Sequence, residues 1–497
     1  MSQNIKTALI SVFHKESLAP LIHQLKKKNV SLISTGGTGL FIEELGYTYT
    51  KVETLTGYPE IFGGRVKTLH PAIFGGILNR RASENDKKEA EAHQIISIDL
   101  VIVDLYPFEE TLEKSQNHEE IIEKIDIGGI SLIRAAAKNY QDVLVISHRG
   151  QYEVLTKILN AGNETLLSDR KKFAAAAFEV SAKYDSAINR YLSEQSTIAL
   201  RYGENPHQKG YFRGNLDAIF NQISGKELSY NNLLDVDAAM LLMQDFDAKE
   251  GATFAILKHN NACGIATHKH LATAYQKAFE ADTLSAFGGI LICNHTIDFA
   301  TAEAMNSLFY EIIIAPDYAP LALEKILTKK NRIVLKSKNF IYPNMQERTL
   351  LNGHLIQERD AFVDTEQNLV SVSKKSVDSH EMEDALFALK IVKHTKSNAI
   401  VLVKNQQLLA SGTGQTSRVD ALQQAIAKAN HFKLNLKGSI MASDAFFPFP
   451  DCVEIANIAD ISVVVHPGGS KNDQLSISYC DEHNMAMLIN GHRHFKH

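Results

Sequence analysis

Val30-Ser31-Leu32-Ile33-Ser34-Thr35-Gly36-Gly37-Thr38-Gly39-Leu40-Phe41-Ile42-Glu43-Glu44-Leu45 passes from a short β-rich run, through a glycine turn, into a helical pattern. Strand, tight turn and helix in that order are the opening unit of an open α/β sheet. In such sheets ligands bind beyond the C-terminal ends of the strands. The turn Ser34 to Gly39 has the composition of an anion grip. Small residues let backbone amides and two kinds of hydroxyl approach an anion, and the helix N terminus adds partial positive charge. No Gly-Lys-Ser/Thr ends the turn and the third glycine of a dinucleotide fingerprint is missing, so neither a Walker loop nor that fingerprint is present. A purely structural turn is the alternative reading.

Working outward, Thr7 to Val12, Leu100 to Val103 and Val143 to Ile146 read as further buried parallel strands, and Leu18 to Leu25 as a helix. At 497 residues the chain exceeds one hydrophobic core, so two or more domains are expected. A polar join at Ser193 to Thr197 divides 1–195 from 196–497. With 44% hydrophobic and 22% charged residues and a net charge of -5, the composition is that of a soluble globular protein with no general attraction to nucleic acid. No apolar run is long enough for a membrane helix and the N terminus has no signal-peptide core, so a cytoplasmic protein is expected. Cys263, Cys293, Cys452 and Cys480 lie far apart, which predicts free thiols.

Further motifs in the first half gather polar groups at loop positions. Gly63-Gly64-Arg65-Val66-Lys67-Thr68-Leu69-His70-Pro71 concentrates two cations, a hydroxyl and an imidazole without acidic partners, a composition suited to an anion or a developing oxyanion. Asp104-Leu105-Tyr106-Pro107-Phe108 ends a strand and sets a phenol at the sheet rim. Asp126-Ile127-Gly128-Gly129 starts a helix running to Asn139, on which Arg134 and Lys138 share a face. Packing for Tyr106, capping for Asp126 and solvation for Lys138 are the plainer readings.

In the second half, Phe254 to Leu257 is strand-like and delivers Lys258 and His259 side by side into the turn Asn260-Asn261-Ala262-Cys263-Gly264. An ammonium beside the ring disfavours a second positive charge, which suits His259 to accepting a proton. Arg201 offers a planar fork and Tyr202 a ring that can stack. Asn231 and Asn232 precede a helix and suit capping as well as binding. Gly412 to Arg418 leads into a helix over Val419 to Ala429, a second candidate anion site. Ser443 to Pro450 sets three phenylalanines on a proline-stiffened loop, and Arg493-His494-Phe495-Lys496-His497 ends the chain.

Taken together and in order, Thr-Gly-Gly-Thr, Gly-Arg-Val-Lys-Thr-Leu-His-Pro, Leu-Tyr-Pro-Phe and Asp-Ile-Gly-Gly-x-x-Leu-x-Arg-Ala-Ala-Ala-Lys-Asn resemble the cyclohydrolase half of the PurH family of bifunctional purine-biosynthesis enzymes. Arg-Tyr-Gly-x-Asn-Pro-His-Gln, Lys-His-x-Asn-x-Cys-Gly, Gly-x-Gly-Gln-x-Ser-Arg, Ser-Asp-Ala-Phe-Phe-Pro-Phe and Arg-His-Phe-Lys-His resemble its transformylase half. The resemblance implies a methylglyoxal-synthase-like open parallel sheet over 1–195 and two cytidine-deaminase-like α/β units over 196–497. It implies formyl transfer from 10-formyltetrahydrofolate, as cosubstrate, to the amine of aminoimidazole carboxamide ribonucleotide (AICAR), then closure to inosine monophosphate with loss of water. It also implies a homodimer with shared transformylase sites, whose partners are otherwise a nucleotide and a folate. No catalytic metal is expected: His118-Glu119-Glu120 supplies a His-x-Glu, but no Pro-Cys-x-x-Cys follows it.

By that resemblance His259 takes the proton, Lys258 supports charge transfer and Asn398 holds the formyl centre. Arg201, Tyr202, Asn232, Gly288, Glu311, Arg493 and Phe495 position the nucleotide, with Phe446 beside the formyl group or folate and His497 close to substrate. In the first half Lys67 and Tyr106 orient the formyl oxygen, and Asp126 and Lys138 handle protons. Ser34, Thr35, Gly36, Gly37 and Thr38 hold the 5′-phosphate, with Arg65 and Thr68 also binding substrate. Four positions depart from the family pattern: Phe13-His14 replaces Ser-Asp, Asp104 replaces asparagine and Ala262 replaces proline. Two rival readings stay open, a transformylase whose first domain only senses nucleotide and a non-catalytic nucleotide-binding protein.

Overall fold

The computed structural model describes residues 2–193 and 197–497. The chain divides into two compact units, Met1–Ser196 and Thr197–His497. Of the expected join, Glu194, Gln195 and Ser196 lie outside the described residues.

The first unit is built on a five-stranded sheet in the order Thr50–Lys51, Ser31–Ser34, Thr7–Val12, Leu100–Asp104, Leu144–Ile146. Every pairing in it is parallel, as the sequence predicts. The cause is visible in the residues: Ala8, Leu9 and Ile10, Leu100 to Val103 and Leu144 to Ile146 are buried without alternation, so helices must cover both faces. Thr7–Val12 lies at the centre, with one strand pair to each side. The chain therefore changes direction there, and the crevice opens at the ends of this strand and its neighbours. One boundary differs from expectation. The helix predicted from Leu40 begins at Gly36, so the glycine turn is itself the first turn of the helix Gly36–Glu44. Close packing contributes to this: a side chain at Gly39 would collide with the Tyr49 ring.

In the second unit, twelve strands among the described residues form one sheet. The same order of elements occurs twice. A helix (Tyr230–Gln244) is followed by a hairpin (Ala252–Lys258 and Asn261–His268), a helix (Leu271–Ala281) and the strands Ile290–Cys293, Ile312–Ala315 and Ile333–Ser337, separated by helices. The helix Ser379–Lys393 then opens the second copy. Its hairpin is Ile400–Lys404 and Gln407–Gly412, its next helix Arg418–His431, and its strands Ile440–Ser443, Val463–His466 and Ala486–Ile489. In each copy the third strand pairs antiparallel with the hairpin and the next two continue in parallel. The copies join where Ala266 pairs with Gln407.

Alternation of side chains assigns the two faces. Ala255, Leu257, Ile312 and Ile314 join Val401, Val403, Val463 and Val465 in one core under the two long helices, shared by both copies. Phe254, Ile256, Leu291 and Ile313 face the other way into a cluster of the first copy, and Ile400, Leu402, Met441 and Val464 into one of the second. All four cysteines are free. Among the described residues no helix is long and apolar enough to cross a membrane.

In both copies a hairpin glycine lies against a helix backbone. A side chain at Gly264 would strike the Ala278 carbonyl, and one at Gly412 the Ala421 carbonyl. Gly264→Ala or Gly412→Ala is therefore expected to destabilise the second unit by roughly 1–3 kcal/mol, the usual range for overpacking. Gly353→Ala, which meets open space, should leave the thermal midpoint within error of wild type. Equal midpoints for all three variants would contradict this packing.

Candidate active sites

A cleft of about 740 Å³ opens at the C-terminal ends of the first unit's strands, lined by Ser11 to Phe13, Thr35, Thr38, Lys67, Tyr106 and Asp126 among others. Its anion grip is narrower than the sequence suggests. Ser34 is buried and its hydroxyl donates to the Ile10 carbonyl at 2.8 Å, so it does not reach the cleft. The Thr38 hydroxyl accepts from Val12 N at 3.1 Å and donates to Val12 O at 3.0 Å. Thr38 N and Gly39 N both return to the Thr35 carbonyl. The first-turn amides of Gly36 and Gly37 have no partner within the helix and supply its open donors. Gly36 has φ of +30°, a conformation that favours glycine. Thr35 Oγ1 meets Ser11 Oγ at 3.1 Å, which fixes the edge of the grip.

Asp126 is buried where the helix Gly128–Lys138 begins. Its Oδ1 accepts from Gly129 N at 2.6 Å and its Oδ2 from Tyr106 N at 3.3 Å. Burial raises its pKa, against the pull of these two N–H groups and of Lys67. The carboxyl thus caps the helix and also ties the Tyr106 backbone to the cleft. The Tyr106 ring stands edge-on to Phe13, with centroids 5.7 Å apart. Thr68 lies under the helix start, 2.9 Å from where a side chain at Gly128 would begin.

Three expectations require correction. Arg65 is not without an acidic partner: the fold brings Glu123 to it as an ion pair, a contact distant in sequence. His70 caps a helix and is not among the residues lining the cleft: its Nδ1 accepts from Ala72 N at the start of Pro71–Leu78. Lys138 is not brought to the cleft. It lies ten residues along the helix from Gly128, about 15 Å at 1.5 Å per residue, in a separate apolar groove of about 660 Å³ with Phe74, Arg134 and Phe178. Conversely, the sequence reading missed Ser11, Lys15 and Lys124, which line the cleft. Their signal was positional, since Ser11 and Lys15 flank the end of the central strand.

In the second unit the Lys258-His259 pair sits at the hairpin turn, where His259 and Asn260 have φ of 51° and 66°. His259 is exposed, and Lys258 donates to the Phe287 carbonyl at 2.8 Å. Beneath the turn, Asp235 accepts from Asn260 N at 2.7 Å. Burial raises the Asp235 pKa, against that N–H and His259. Asp235 was not singled out from sequence because it sits inside an ordinary helix. The second copy repeats the arrangement: Asn405 and Gln406 have positive φ, Asp384 accepts from both of their N–H groups, and Lys404 bonds the Lys437 carbonyl. There Asn405 takes the place of the imidazole.

Around the first turn, Asn232 serves as a cap. It completes a box with Ser229, and its Nδ2 donates to Glu311 Oε2 at 3.1 Å. Glu311 N bonds Gly289 O, and Gly288 has φ of 74° and bonds Phe309 O. Arg201 stacks on Tyr202 at 5.3 Å and both lie outside the core. Asn261 Oδ1 accepts from Lys396 N, which links the turn to the segment of Asn398. Asn398 Nδ2 donates to the Gln415 carbonyl at 2.9 Å. The chain end packs on the same segment: Ser397 N bonds Lys496 O, while Arg493 at 4.3 Å and Arg418 at 5.7 Å face the Phe495 ring. The His497 ring lies 5.5 Å from that of Phe495.

Two further readings of this half change. The helix Arg418–His431 is capped internally by Ser417, and Asp420 places a carboxylate in its first turn. Its N terminus is therefore not an open anion site. The three phenylalanines do not form one wall: Phe447 is buried against His466, while Phe446 and Phe449 are exposed. Among the described residues no group of three or more His, Cys, Asp or Glu is placed to hold a metal ion.

A family model described as "AICARFT/IMPCHase bienzyme" matches residues 136–428, and one described as "MGS-like domain" matches 17–131. The Bifunctional purine biosynthesis protein PurH of Bacteroides thetaiotaomicron is 56% identical over 507 residues, covering 100% of this chain and 99% of that one. The chain belongs to the AICARFT/IMPCHase bienzyme family. The PurH of Aquifex aeolicus, 43% identical over 510 residues, covers 99% of this bienzyme chain and is itself fully covered. A solved structure titled "Crystal structure of ForH" is 30% identical, covering 38% of this chain and 97% of that one, at a TM-score of 0.34.

The bienzyme's C-terminal tail is fixed by His494. Its Nδ1 lies 2.6 Å from Asp360 and its Nε2 3.3 Å from Asp364, and its N–H donates to Asp444 O. Burial would lower the imidazole pKa, but the two carboxylates outweigh it and hold the value at about 9. Because this exceeds the unfolded value of about 6.5, the stabilisation is complete below about pH 6.5 and is lost as pH rises through about 9. His494→Gln should therefore lower the thermal midpoint most in mildly acidic buffer, with the gap to wild type closing above about pH 9. A gap that widened with rising pH would rule out the charged pair as the anchor.

Proposed function

We propose that the protein carries out two consecutive steps of purine synthesis at separate sites, formyl transfer in the second unit and ring closure in the first. The main support is the cluster of Lys67, Tyr106 and Asp126 around an anion-gripping helix end, in a unit distinct from the one that carries the Lys258-His259 turn.

In the transfer step the AICAR amine is a weak nucleophile, because its lone pair is delocalised into the ring and carboxamide. Attack on the formyl carbon of 10-formyltetrahydrofolate requires loss of an amine proton and stabilisation of a tetrahedral oxyanion. His259, exposed at a turn held by Asp235, accepts the proton. Lys258 and Asn398 stabilise charge at the formyl centre, and folate leaves with a proton on its nitrogen. Arg201, Tyr202, Gly288, Arg493 and Phe495 position the nucleotide, with Phe446 and His497 beside them. Asn232 and Glu311 act through the cap and hydrogen bond that shape this edge.

In the closing step the carboxamide nitrogen attacks the new formyl carbon and water leaves. The reaction is intramolecular, so holding the two ends together can supply up to roughly 7–11 kcal/mol of the barrier in favourable cases. The Gly36 and Gly37 amides with Thr35 hold the 5′-phosphate, Lys67 and Tyr106 polarise the formyl oxygen, and Asp126, with its raised pKa, handles the proton. Lys138 has no part in this cleft, given its groove. The protein works in the cytoplasm as a homodimer, and neither step uses a metal.

His259→Ala should slow formyl transfer by about 10²–10⁴-fold, the usual contribution of a positioned base, while supplied formylated nucleotide still cyclises. Lys67→Ala should do the reverse, so that formylated intermediate accumulates in the coupled assay. Loss of both activities in a folded His259→Ala protein would contradict separate sites. A wild-type protein that transfers formyl but does not cyclise would leave only the transformylase reading.

A further inference from the structure

The cleft of the first unit has to receive a phosphorylated nucleotide, yet three carboxylates line it: Asp104, Glu123 and Asp126. Each has donors of its own. Glu123 is paired with Arg65, and Asp126 receives the Gly129 and Tyr106 N–H groups. Asp104 is answered by one residue. Its Oδ2 accepts from the His14 backbone N–H at 2.9 Å and from His14 Nδ1 at 2.7 Å. A carboxylate only accepts, so the ring nitrogen is the donor. Both side chains are largely shielded, at 19% and 12% exposure, and the other ring nitrogen faces Glu110 at 3.7 Å.

The position of Asp104 makes this pairing consequential. It aligns with Val12 in the sheet, and Val12 is the residue that both grips and is gripped by the Thr38 hydroxyl. The backbone of Asp104 therefore lies one strand spacing, roughly 4.8 Å, from Thr7–Val12 and two from Ser31–Ser34, the strand that runs into the phosphate grip, and its side chain lines the same cleft. An unanswered negative charge lining the same partly desolvated cleft repels an anionic ligand more strongly than it would in water. The charge of Asp104 is already felt at Asp126, where it opposes ionisation. The two departures noted in the sequence, His14 and Asp104, are thus the two ends of one contact.

We propose that His14 is a positioning residue whose hydrogen bonds mask the Asp104 carboxylate, and that this masking sets the affinity of the cleft for its phosphorylated, formylated nucleotide. Phe13, the neighbour of His14, lies edge-on to Tyr106. The proposal rests on the reading of this cleft as the ring-closing site.

The test is a double-mutant cycle on the full-length protein, with cyclisation of supplied formylated AICAR as readout and formyl transfer in the other unit as a folding control. His14→Ala should raise KM roughly tenfold through the exposed charge, with kcat changed less than about threefold. Asp104→Asn alone should leave KM near or below the wild-type value. The double variant H14A/D104N should return KM to within about twofold of wild type, because the charge that needed masking is gone. A purely structural role would leave the double variant at least as impaired as His14→Ala, and that outcome overturns the proposal, as does an unchanged KM in His14→Ala. If His14→Ala loses formyl transfer as well, the cycle is repeated with His14→Gln, which keeps an amide donor. Unfolding of that variant too assigns the pair to stability and also overturns the proposal. A wild-type protein that does not cyclise at all refutes the site reading itself, a result distinct from any outcome of the cycle.

Discussion

A strand buried on both faces can present chemistry only at its ends. That constraint governs both units. In the first, apolar strands without alternation are covered on each side, so the open backbone donors gather where Ser31–Ser34 runs into its helix, and the polar side chains where Leu100–Asp104 ends before Tyr106. In the second, alternating residues feed a shared core on one face and separate cores on the other. The first exposed position beyond Ala252–Lys258 is His259, at a turn whose positive φ values turn the chain out of the sheet. The side chains from Ala252 to Leu257 are enclosed by the core, and only Lys258 at the strand's end emerges from it.

The doubled architecture shows how one scaffold separates support from chemistry. Both hairpin turns rest on an aspartate from the preceding long helix, half-buried Asp235 in one copy and buried Asp384 in the other. Both place a lysine before the turn that reaches a backbone carbonyl. The turn of the second copy is also tied down from outside, because Lys277 bonds the Asn405 carbonyl and Thr267 N the Gln406 carbonyl. An imidazole stands at the first turn and an amide at the second, so the same support carries a proton acceptor only once.

Charge in these sites is set by pairing more than by count. The anion cleft contains several acids, and the fold supplies each with a donor from elsewhere in the chain: Arg65 for Glu123, the Tyr106 amide beside the local Gly129 amide for Asp126, His14 for Asp104. At the chain end the same logic works with opposite sign, where two carboxylates hold a buried imidazole in its charged form. Low local dielectric makes each missing partner costly, which is why such groups occur as pairs.

The sequence alone determined the parallel strands, the glycine turn between strand and helix and the polar Lys258-His259 turn, because these follow from local pattern: unbroken apolar runs, small residues before a helix, and a polar turn after a strand. It did not reveal the doubled element order of the second unit in detail, nor the roles of Asp235 and Lys15. Only the tertiary structure decided which polar groups remain free. Ser34 and Thr38 are spent on neighbouring strands, His70 and Asn232 on helix ends, and Arg65 on Glu123. Lys138 lies a helix length from the cleft. The reason is physical: hydrogen bonds and ion pairs form between groups brought together from far along the chain, and periodicity carries no information about such partners.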